Sequence, residues 1–352
     1  TANSLNFSDG TEFNAINPSN NSILTINIPL GLQYGANPGN IEVQGKSVSE
    51  LQVANSKSLA LIGGNIKIDG GKLTALSGGI DLLAVKNGEV SLVNGNGKIK
   101  PELPESIDYG DIEILNQSNI DASGNNGGSI QLRGKNITIQ DSSQITTNTI
   151  GNGSGETLEI TATELININY CGLLADVQEE ATGTGSDLII NSKRLLITNN
   201  SFISSSTYGF GNTGNFKVKA EDIQITDRSF LYALVGRKAT GNGGDLTVET
   251  SNLQLSDGGQ IAAATSGKGT AGNMEIKADT IKLVGFDQSS DTPIKSGLFA
   301  SAVRQDGQGG NLNVTANQLI ISDGATINAS NFFSNDPENF LGTAGTGAAG
   351  NI

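Results

Sequence analysis

The amino-acid sequence predicts an all-β protein: a single right-handed parallel β-helix (a β-solenoid) with about three short strands in each coil of roughly 28–30 residues. Two observations favour this fold class. The chain is built from an internal repeat, and apolar and polar residues alternate within every repeat. The 352 residues include 47 Gly and only 5% aromatic residues, which suits short strands joined by tight turns because Gly weakens helices.

The repeat opens with a small residue, a polar residue and an apolar residue, followed by alternation. Clear openings lie at 128–132, 186–190, 214–218, 244–248, 272–276 and 310–314, with a weaker one at 156–160 and a further start at 350–352. Their first apolar positions are Ile130, Leu158, Leu188, Phe216, Leu246, Met274, Leu312 and Ile352, spaced 28, 30, 28, 30, 28, 38 and 40 residues apart. A steady period that then lengthens predicts a constant coil with loop insertions, here around 287–295 and 332–343.

Three alternating runs in each repeat predict three strands per coil. The second run ends in Asp, at 137–141, 223–227, 253–257 and 319–323, and the third follows a turn, at 260–263 and 326–329. Period 2 places residues such as Leu255 inward and Gln254 outward. Parallel neighbours need a long crossover, which one full coil supplies, and such crossovers are usually right-handed.

The first 120 residues follow the same pattern less regularly. The runs 39–43 and 64–68 are interpreted as first-strand openings, and 8–13 and 69–73 as turns of the Asp-Gly kind. Pro101 and Pro104 predict a loop between Lys98 and Asp111. The expected organisation is one continuous solenoid, irregular over 1–120 and regular over 121–352, that forms part of a longer protein at both ends.

The N-terminal residues resemble a known family. The stretches 4–13, 28–35, 38–45 and 59–66 (SLNFSDGTEF, IPLGLQYG, PGNIEVQG and LALIGGNI) are similar to the filamentous haemagglutinin N-terminal family, and closest to its long cyanobacterial members. Asn17-Pro18-Ser19-Asn20 differs from the Asn-Pro-Asn-Gly motif of that family. The 1–120 segment resembles the C-terminal part of a two-partner secretion domain.

The resemblance implies an exoprotein exported through an outer-membrane transporter barrel and folded as a right-handed β-helix. Members of the family act mainly as adhesins, haemagglutinins or toxins. The implied location is secreted and extracellular, with retention at the outer-membrane surface left open. The implied partners are the transporter barrel, surface or matrix glycans and proteins, and further copies of the chain joined end to end.

Composition excludes other classes of protein. The net charge of −14 and the scattered 21 Lys and Arg argue against nucleic-acid binding. No apolar run is long enough for a transmembrane helix. The single Cys171 has no His to activate it, since the chain has none, and is expected to be buried as a small apolar residue.

Two polar series are candidate chemistry. The Asn or Asp before each first strand is expected to form a ladder along one edge, bonding neighbouring backbone N–H groups: Asn40, Asn65, Asp111, Asp187, Asn215, Asp245, Asn273, Asn311 and Asn351. Asp141, Asp227, Asp257 and Asp323 are interpreted as turn residues, with Ca²⁺ binding as the alternative.

A carbohydrate-active enzyme, either a polysaccharide lyase or a hydrolase, is the alternative function. Glu179-Glu180 and the cluster of Asp227, Arg228 and Arg237 are its strongest candidates, and a polar turn and surface ion pairing explain them without catalysis. Glycosylation at Asn6, Asn136 or Asn313 is left open. The prediction is a non-catalytic structural or adhesive β-helix with no catalytic, cofactor or metal residue.

Overall fold

The computed structural model describes residues 2–7, 10–14, 29–35, 37–45, 50–95, 98–102, 107–288, 293–303, 307–332 and 348–352. These residues contain no helix, and their regular structure consists of strands that pair mostly in parallel. The prediction of an all-β protein built on parallel strands is therefore confirmed.

The parallel strands form three rows, and each repeat contributes one strand to each row. In row 1 and row 2 some neighbouring strands run on into one another as a single long strand, so that Ser129–Gln140, Thr157–Asn169, Met274–Val284 and Leu312–Ser322 each span both rows. The other row 1 strands are Ser58–Gly63, the first part of Gly79–Gly95, Asp187–Asn191, Phe216–Lys219 and Leu246–Glu249. The other row 2 strands are Ile41–Gln44, Ile66–Asp69, Ile112–Leu115, Arg194–Thr198, Asp222–Ile225 and Asn252–Ser256.

Row 3 forms a second sheet. Its strands are Glu50–Gln52, Lys72–Thr74, Asn119–Asp121, Gln144–Thr146, Gly172–Leu174, Phe202–Ser204, Phe230–Val235, Gln260–Thr265, Gly297–Phe299 and Thr326–Asn328. Single parallel bridges extend this row through Gly124, Thr149, Val177, Thr207 and Val235. Ala302–Val303 and Asn331–Phe332 pair beyond it.

The predicted repeat register is confirmed. Ile130, Leu158, Leu188, Phe216, Leu246, Met274 and Leu312 lie opposite one another in consecutive row 1 strands. The amide of Leu312 donates to the carbonyl of Asn351 at 2.8 Å, so the step of 40 residues also keeps the register.

The inward residues of the three rows form one continuous core. Leu, Ile and Val from successive repeats stack on one another, and Leu255 is fully buried while Gln254 on the same strand is half-buried. The predicted inward and outward positions are confirmed here. A core of this shape is extended along the stack of repeats, so each residue packs mainly against its equivalents in the neighbouring repeats.

The assignment of 39–43 and 64–68 to the first strand is wrong. Ile41 and Ile66 pair with each other, Ile66 pairs with Ile112, and Ile112 pairs with Ile137, which places all four in row 2. Row 1 of this region is supplied instead by Ser58–Gly63 and Gly79–Gly95. The error arises because both rows begin with the same polar-apolar pattern, since both are entered through the same kind of bend.

The interpretation of Lys98 to Asp111 as a loop is also wrong in part. Lys98–Glu102 and Asp108–Tyr109 are strands that pair antiparallel with Gly79–Gly95, and Pro101 lies within the first of them, opposite Leu92. Pro104 lies outside the described residues.

An antiparallel sheet at the N-terminal side departs from the purely parallel expectation. Its strands in spatial order are Glu12–Asn14, Ser4–Phe7, Pro29–Tyr34, the second part of Gly79–Gly95, and Lys98–Glu102. Gly88, with a φ of 127°, lies where Gly79–Gly95 leaves row 1. Tyr34, Leu83, Val85 and Val90 form a small second core under this sheet, and the Tyr34 hydroxyl donates to the carbonyl of Ile62 at 3.1 Å.

The first predicted insertion is confirmed where it is described. Phe286–Asp287 and Ile294–Lys295 pair antiparallel as a hairpin that projects from the repeat. Residues 289–292 of that insertion and 333–343 of the second lie outside the described residues. So do Ser8 and Asp9 of the first predicted Asp-Gly turn and the whole of 17–20.

Candidate functional site

The Asn and Asp series forms hydrogen-bonded ladders, as predicted, but there are two of them. Along row 1, the side-chain oxygen of each member accepts the backbone N–H of the next, at 2.8 Å from Asn215 to Asp187 and 2.8 Å from Asn273 to Asp245. The same contact continues through Asn311 to Asn351 at 3.2 Å. A backbone N–H that would otherwise be left unpaired at each bend is thereby satisfied.

The second ladder runs along row 2. Asn40 accepts from the amide of Asn65 at 2.9 Å, Asn65 from Asp111 at 3.0 Å, and Asp111 from Asn136 at 3.2 Å. The side-chain amide of Asn136 also donates to Asp111 at 2.8 Å. The prediction of one edge ladder is corrected to two, because Asn40, Asn65 and Asp111 precede row 2 strands.

The Asp residues that end row 2 strands are turn residues, as predicted. Asp141, Asp227, Asp257 and Asp323 have φ of 60°, 52°, 49° and 55°, the left-handed region that Asp tolerates better than most residues. Gly285, which interrupts the series in sequence, has a φ of 70° at the same place. The position therefore requires a left-handed backbone, and Asp is one of several residues that meet it.

A continuous stack of carboxylates is not formed by this series. In the repeats between Asp141 and Asp227 the left-handed position is occupied by Tyr170 and Asn199, so that only Asp227 and Asp257 are consecutive. The described residues hold no group of three or more Cys, Asp or Glu placed to bind a metal ion. The Asp257 carboxylate accepts a hydrogen bond from the Thr226 hydroxyl at 3.1 Å.

Cys171 is buried, as predicted, with 3% of its surface exposed. It lies directly before a row 3 strand, where other repeats have serine: Ser118, Ser143, Ser201 and Ser229. In this serine row the hydroxyl of Ser143 donates to the carbonyl three residues earlier at 2.7 Å, and the amide of Cys171 donates to the Ser201 hydroxyl at 3.2 Å. Burial raises the pKa of the Cys171 thiol to about 11, which opposes a nucleophilic role.

Asp176 was not singled out by sequence reasoning. It is 4% exposed, and its Oδ1 accepts the Ser204 hydroxyl at 2.6 Å and the Ser206 amide at 2.7 Å. Burial raises its pKa to about 6, despite those two hydrogen bonds, which act in the opposite direction. The only sequence signal was its place outward on a row 3 strand, which does not reveal that neighbouring repeats cover it.

The candidate catalytic groups are dispersed. Glu179 and Glu180 occupy the tip of a turn and are exposed. Arg228 forms an ion pair with Asp287 of the inserted hairpin, at 3.5 Å, rather than with Asp227. Arg237 lies on a different exposed turn. The structure therefore does not bring these groups together.

Two surface grooves have volumes of about 290 and 420 Å³. The first is lined by the row 1 ladder, including Asp245, Asn273 and Asn311. The side-chain oxygens of these residues already accept backbone N–H groups. The groove is therefore lined by groups that hold the repeats together.

Taken with the fold, these features define a class: an all-β protein whose polar rows join one repeat to the next. Residues 1–132 match the family model described as the TPS secretion domain. The chain thus carries the domain of the two-partner secretion family, to which the filamentous haemagglutinin N-terminal resemblance also points. No match was found among curated proteins or solved structures.

The family match bears on three further predictions. Proteins with this domain are secreted exoproteins that interact with an outer-membrane transporter, and the family is not an enzyme family. The match supports an extracellular location for this chain. Among the described residues there is no helix with the length and hydropathy needed to cross a bilayer. The closeness to cyanobacterial members stays a prediction.

Proposed function

We propose that this chain is a structural and adhesive segment of a large two-partner secretion exoprotein, folded as one right-handed β-helix in which an irregular part, 1–120, continues into a regular part, 121–352. The single observation that carries the proposal is the unbroken row 1 register from Ile80 to Leu312, together with the secretion-domain match over 1–132. A rod of stacked repeats holds surface groups at a fixed spacing along its length, as a filament requires.

The β-helix itself is tested by an experimental structure or by small-angle scattering. A rod whose length grows by about 4.8 Å for each repeat retained in a truncation series is expected. A compact globule of unchanged axial ratio would contradict the proposal.

Export is tested by expressing the chain, preceded by a cleavable signal peptide, in a Gram-negative host with and without a two-partner transporter. We expect protein in the medium only when the transporter is present. A matched chain that lacks residues 1–132 should stay in the periplasm. Equal release of both chains would contradict the assigned route.

Adhesion is the finer part of the proposal. The outward strand faces and the inserted hairpin around Asp287 are the expected contact surfaces, because recognition residues on a rigid scaffold usually lie on loops. The proposed partners are surface or matrix glycans and proteins, with end-to-end contact between copies and retention at the outer-membrane surface as further expectations. Beads coated with the chain should bind host or biofilm matrix above the level of beads coated with a heat-denatured sample.

No observation in the described residues favours a lyase or hydrolase. Incubation with a panel of acidic polysaccharides tests this directly. New reducing ends or unsaturated products would overturn the non-catalytic proposal.

A further inference from the structure

One corner of the repeat alternates in length. Between the parallel bridge that extends row 3 and the first apolar residue of row 1, the chain takes nine positions from Thr207 to Phe216 but eleven from Val177 to Leu188. Eleven positions recur from Val235 to Leu246. This corner is therefore the origin of the alternating spacing of 28 and 30 residues.

The two extra residues form the tip of a tight turn in each long corner. The amide of Ala181 donates to the carbonyl of Gln178 at 3.1 Å, and the amide of Ala239 donates to Gly236 at 2.9 Å. Ala181 and Ala239 are buried, so each turn is held at its base. The central residues are Glu179-Glu180 in one turn and Arg237-Lys238 in the other, and all four are exposed.

The short corner between these turns carries exposed aromatic side chains. Tyr208 is 41% exposed and Phe210 58% exposed, in a chain with only 5% aromatic residues. Gly236 lets the Tyr208 ring lie against the backbone, because a Cβ there would be 2.6 Å from the ring. The amide of Phe210 donates to Ala181 at 2.8 Å, and the amide of Thr240 donates to Gly209 at 3.1 Å, so the three corners are direct neighbours.

The result is an acidic turn, an aromatic step and a basic turn in a line. Neighbouring repeats are about 4.8 Å apart, which puts the acidic and basic tips on the order of 10 Å apart. A two-fold axis through the aromatic step, perpendicular to the stack of repeats, exchanges the acidic and basic turns. A surface of this kind is complementary to itself, as an isologous contact requires.

We propose that this acidic–aromatic–basic corner, residues 178–182, 208–210 and 236–240, is a lateral docking surface for a second copy of the chain in antiparallel orientation. Glu179 and Glu180 of one copy face Arg237 and Lys238 of the other, twice over, and the Phe210 side chains meet at the centre. Charge complementarity along the corner selects a second copy as the occupant, because the reversed copy presents the opposite charge at each turn.

The contact is expected to be weak and sensitive to salt. A contact limited to one corner buries less than the ~1,200 Å² of a standard stable interface. Its charges are exposed and are screened over about 10 Å at 0.1 M salt. Side-by-side association of this kind differs from end-to-end contact, because it leaves the strand edges of the first and last repeats untouched.

The test is sedimentation velocity of the whole chain between about 10 and 500 µM, at 50 and 500 mM NaCl. We expect a monomer–dimer equilibrium at low salt that shifts toward monomer at high salt. E179K/E180K and R237E/K238E should each abolish the dimer, since like charges then face each other. An equimolar mixture of the two variants should form a heterodimer, and the fourfold exchange E179K/E180K/R237E/K238E should restore the homodimer.

Two controls keep the result specific. Lys217→Glu with Lys282→Glu makes the same change in net charge as R237E/K238E on exposed positions of rows 1 and 2, and should leave the dimer intact. Phe210→Ala should weaken the dimer without changing the circular dichroism spectrum. A wild-type chain that stays monomeric at 500 µM in low salt, a dimer that survives the single charge reversals, or an exchange that fails to restore it overturns the proposal. Monomeric chain whose binding to a glycan array depends on Phe210 would assign the corner to a sugar instead.

Discussion

Replacement of Leu255 by alanine tests the inward and outward assignment on which the fold rests. Leu255 is fully buried, and it lies between Ile225 and Leu283 in the neighbouring row 2 strands. Alanine removes three methyl-bearing carbons from a site closed on both sides, so a cavity is expected to remain. Core Leu→Ala substitutions cost about 2–5 kcal/mol.

The matched control is Gln254→Ala, one residue away on the same strand. Gln254 points outward beside Gln224 and Lys282, and its loss should change stability by less than about 0.5 kcal/mol. The two variants therefore differ in the direction of a side chain and not in its place along the chain.

The measurement is native-state hydrogen exchange of row 2, because a stack of repeats can open locally and a single midpoint of unfolding would not report one repeat. For Leu255→Ala we expect exchange of the 222–225 and 252–256 amides to accelerate at least about thirtyfold, which corresponds to about 2 kcal/mol. Gln254→Ala should stay within about threefold. Equal acceleration in the two variants would refute the assignment.

Three further predictions concern polar groups. Asp257→Val should destabilise its repeat by about 1–2 kcal/mol, because φ there is 49°, whereas Asp257→Asn should be nearly neutral in chemical denaturation; equal losses would show that the left-handed backbone is not the cause. The pKa of Asp176 in the folded chain, about 6, is above its unfolded value of about 3.9, so stability should fall as the pH rises from about 4 to 6 and then level. Asp176→Asn should remove that slope from thermal melts at pH 4 to 7.5, and an unchanged slope would assign it to other groups. Cys171 should resist maleimide at pH 8 in the folded chain and react in denaturant, and Cys171→Ser should keep the melting temperature because serine occupies the same place in other repeats; rapid labelling of folded protein would contradict the burial.

The regular part of the chain could be predicted in detail from sequence. From Ile130 to Leu312 a fixed spacing, a strict alternation and a recurring Asn or Asp were sufficient to predict which residues lie opposite one another. Each of these signals repeats, and repetition separates a positional requirement from chance. The left-handed turns at Asp141, Asp227, Asp257 and Asp323 followed for the same reason.

The N-terminal third resisted the same reasoning. Ile41 and Ile66 carry a pattern that rows 1 and 2 share, and only the pairing of Ile66 with Ile112 places them in row 2. Gly79–Gly95 is one strand in the chain but belongs to a parallel row at its start and to an antiparallel sheet at its end. Local pattern reports which side chains are inward and not which strand lies alongside.

The candidate site shows the same division. Local sequence was enough to identify the turn residues, the buried Cys171 and the absence of His, because each depends on residue type and immediate neighbours. The burial of Asp176 by the next repeats, the pairing of Arg228 with Asp287, and the placing of Glu179-Glu180 and Arg237-Lys238 on either side of Tyr208 and Phe210 depend on contacts between residues about 30 or more positions apart. Those contacts exist only once the repeats are stacked, since stacking brings residues far apart in the chain to within about 5–10 Å of each other.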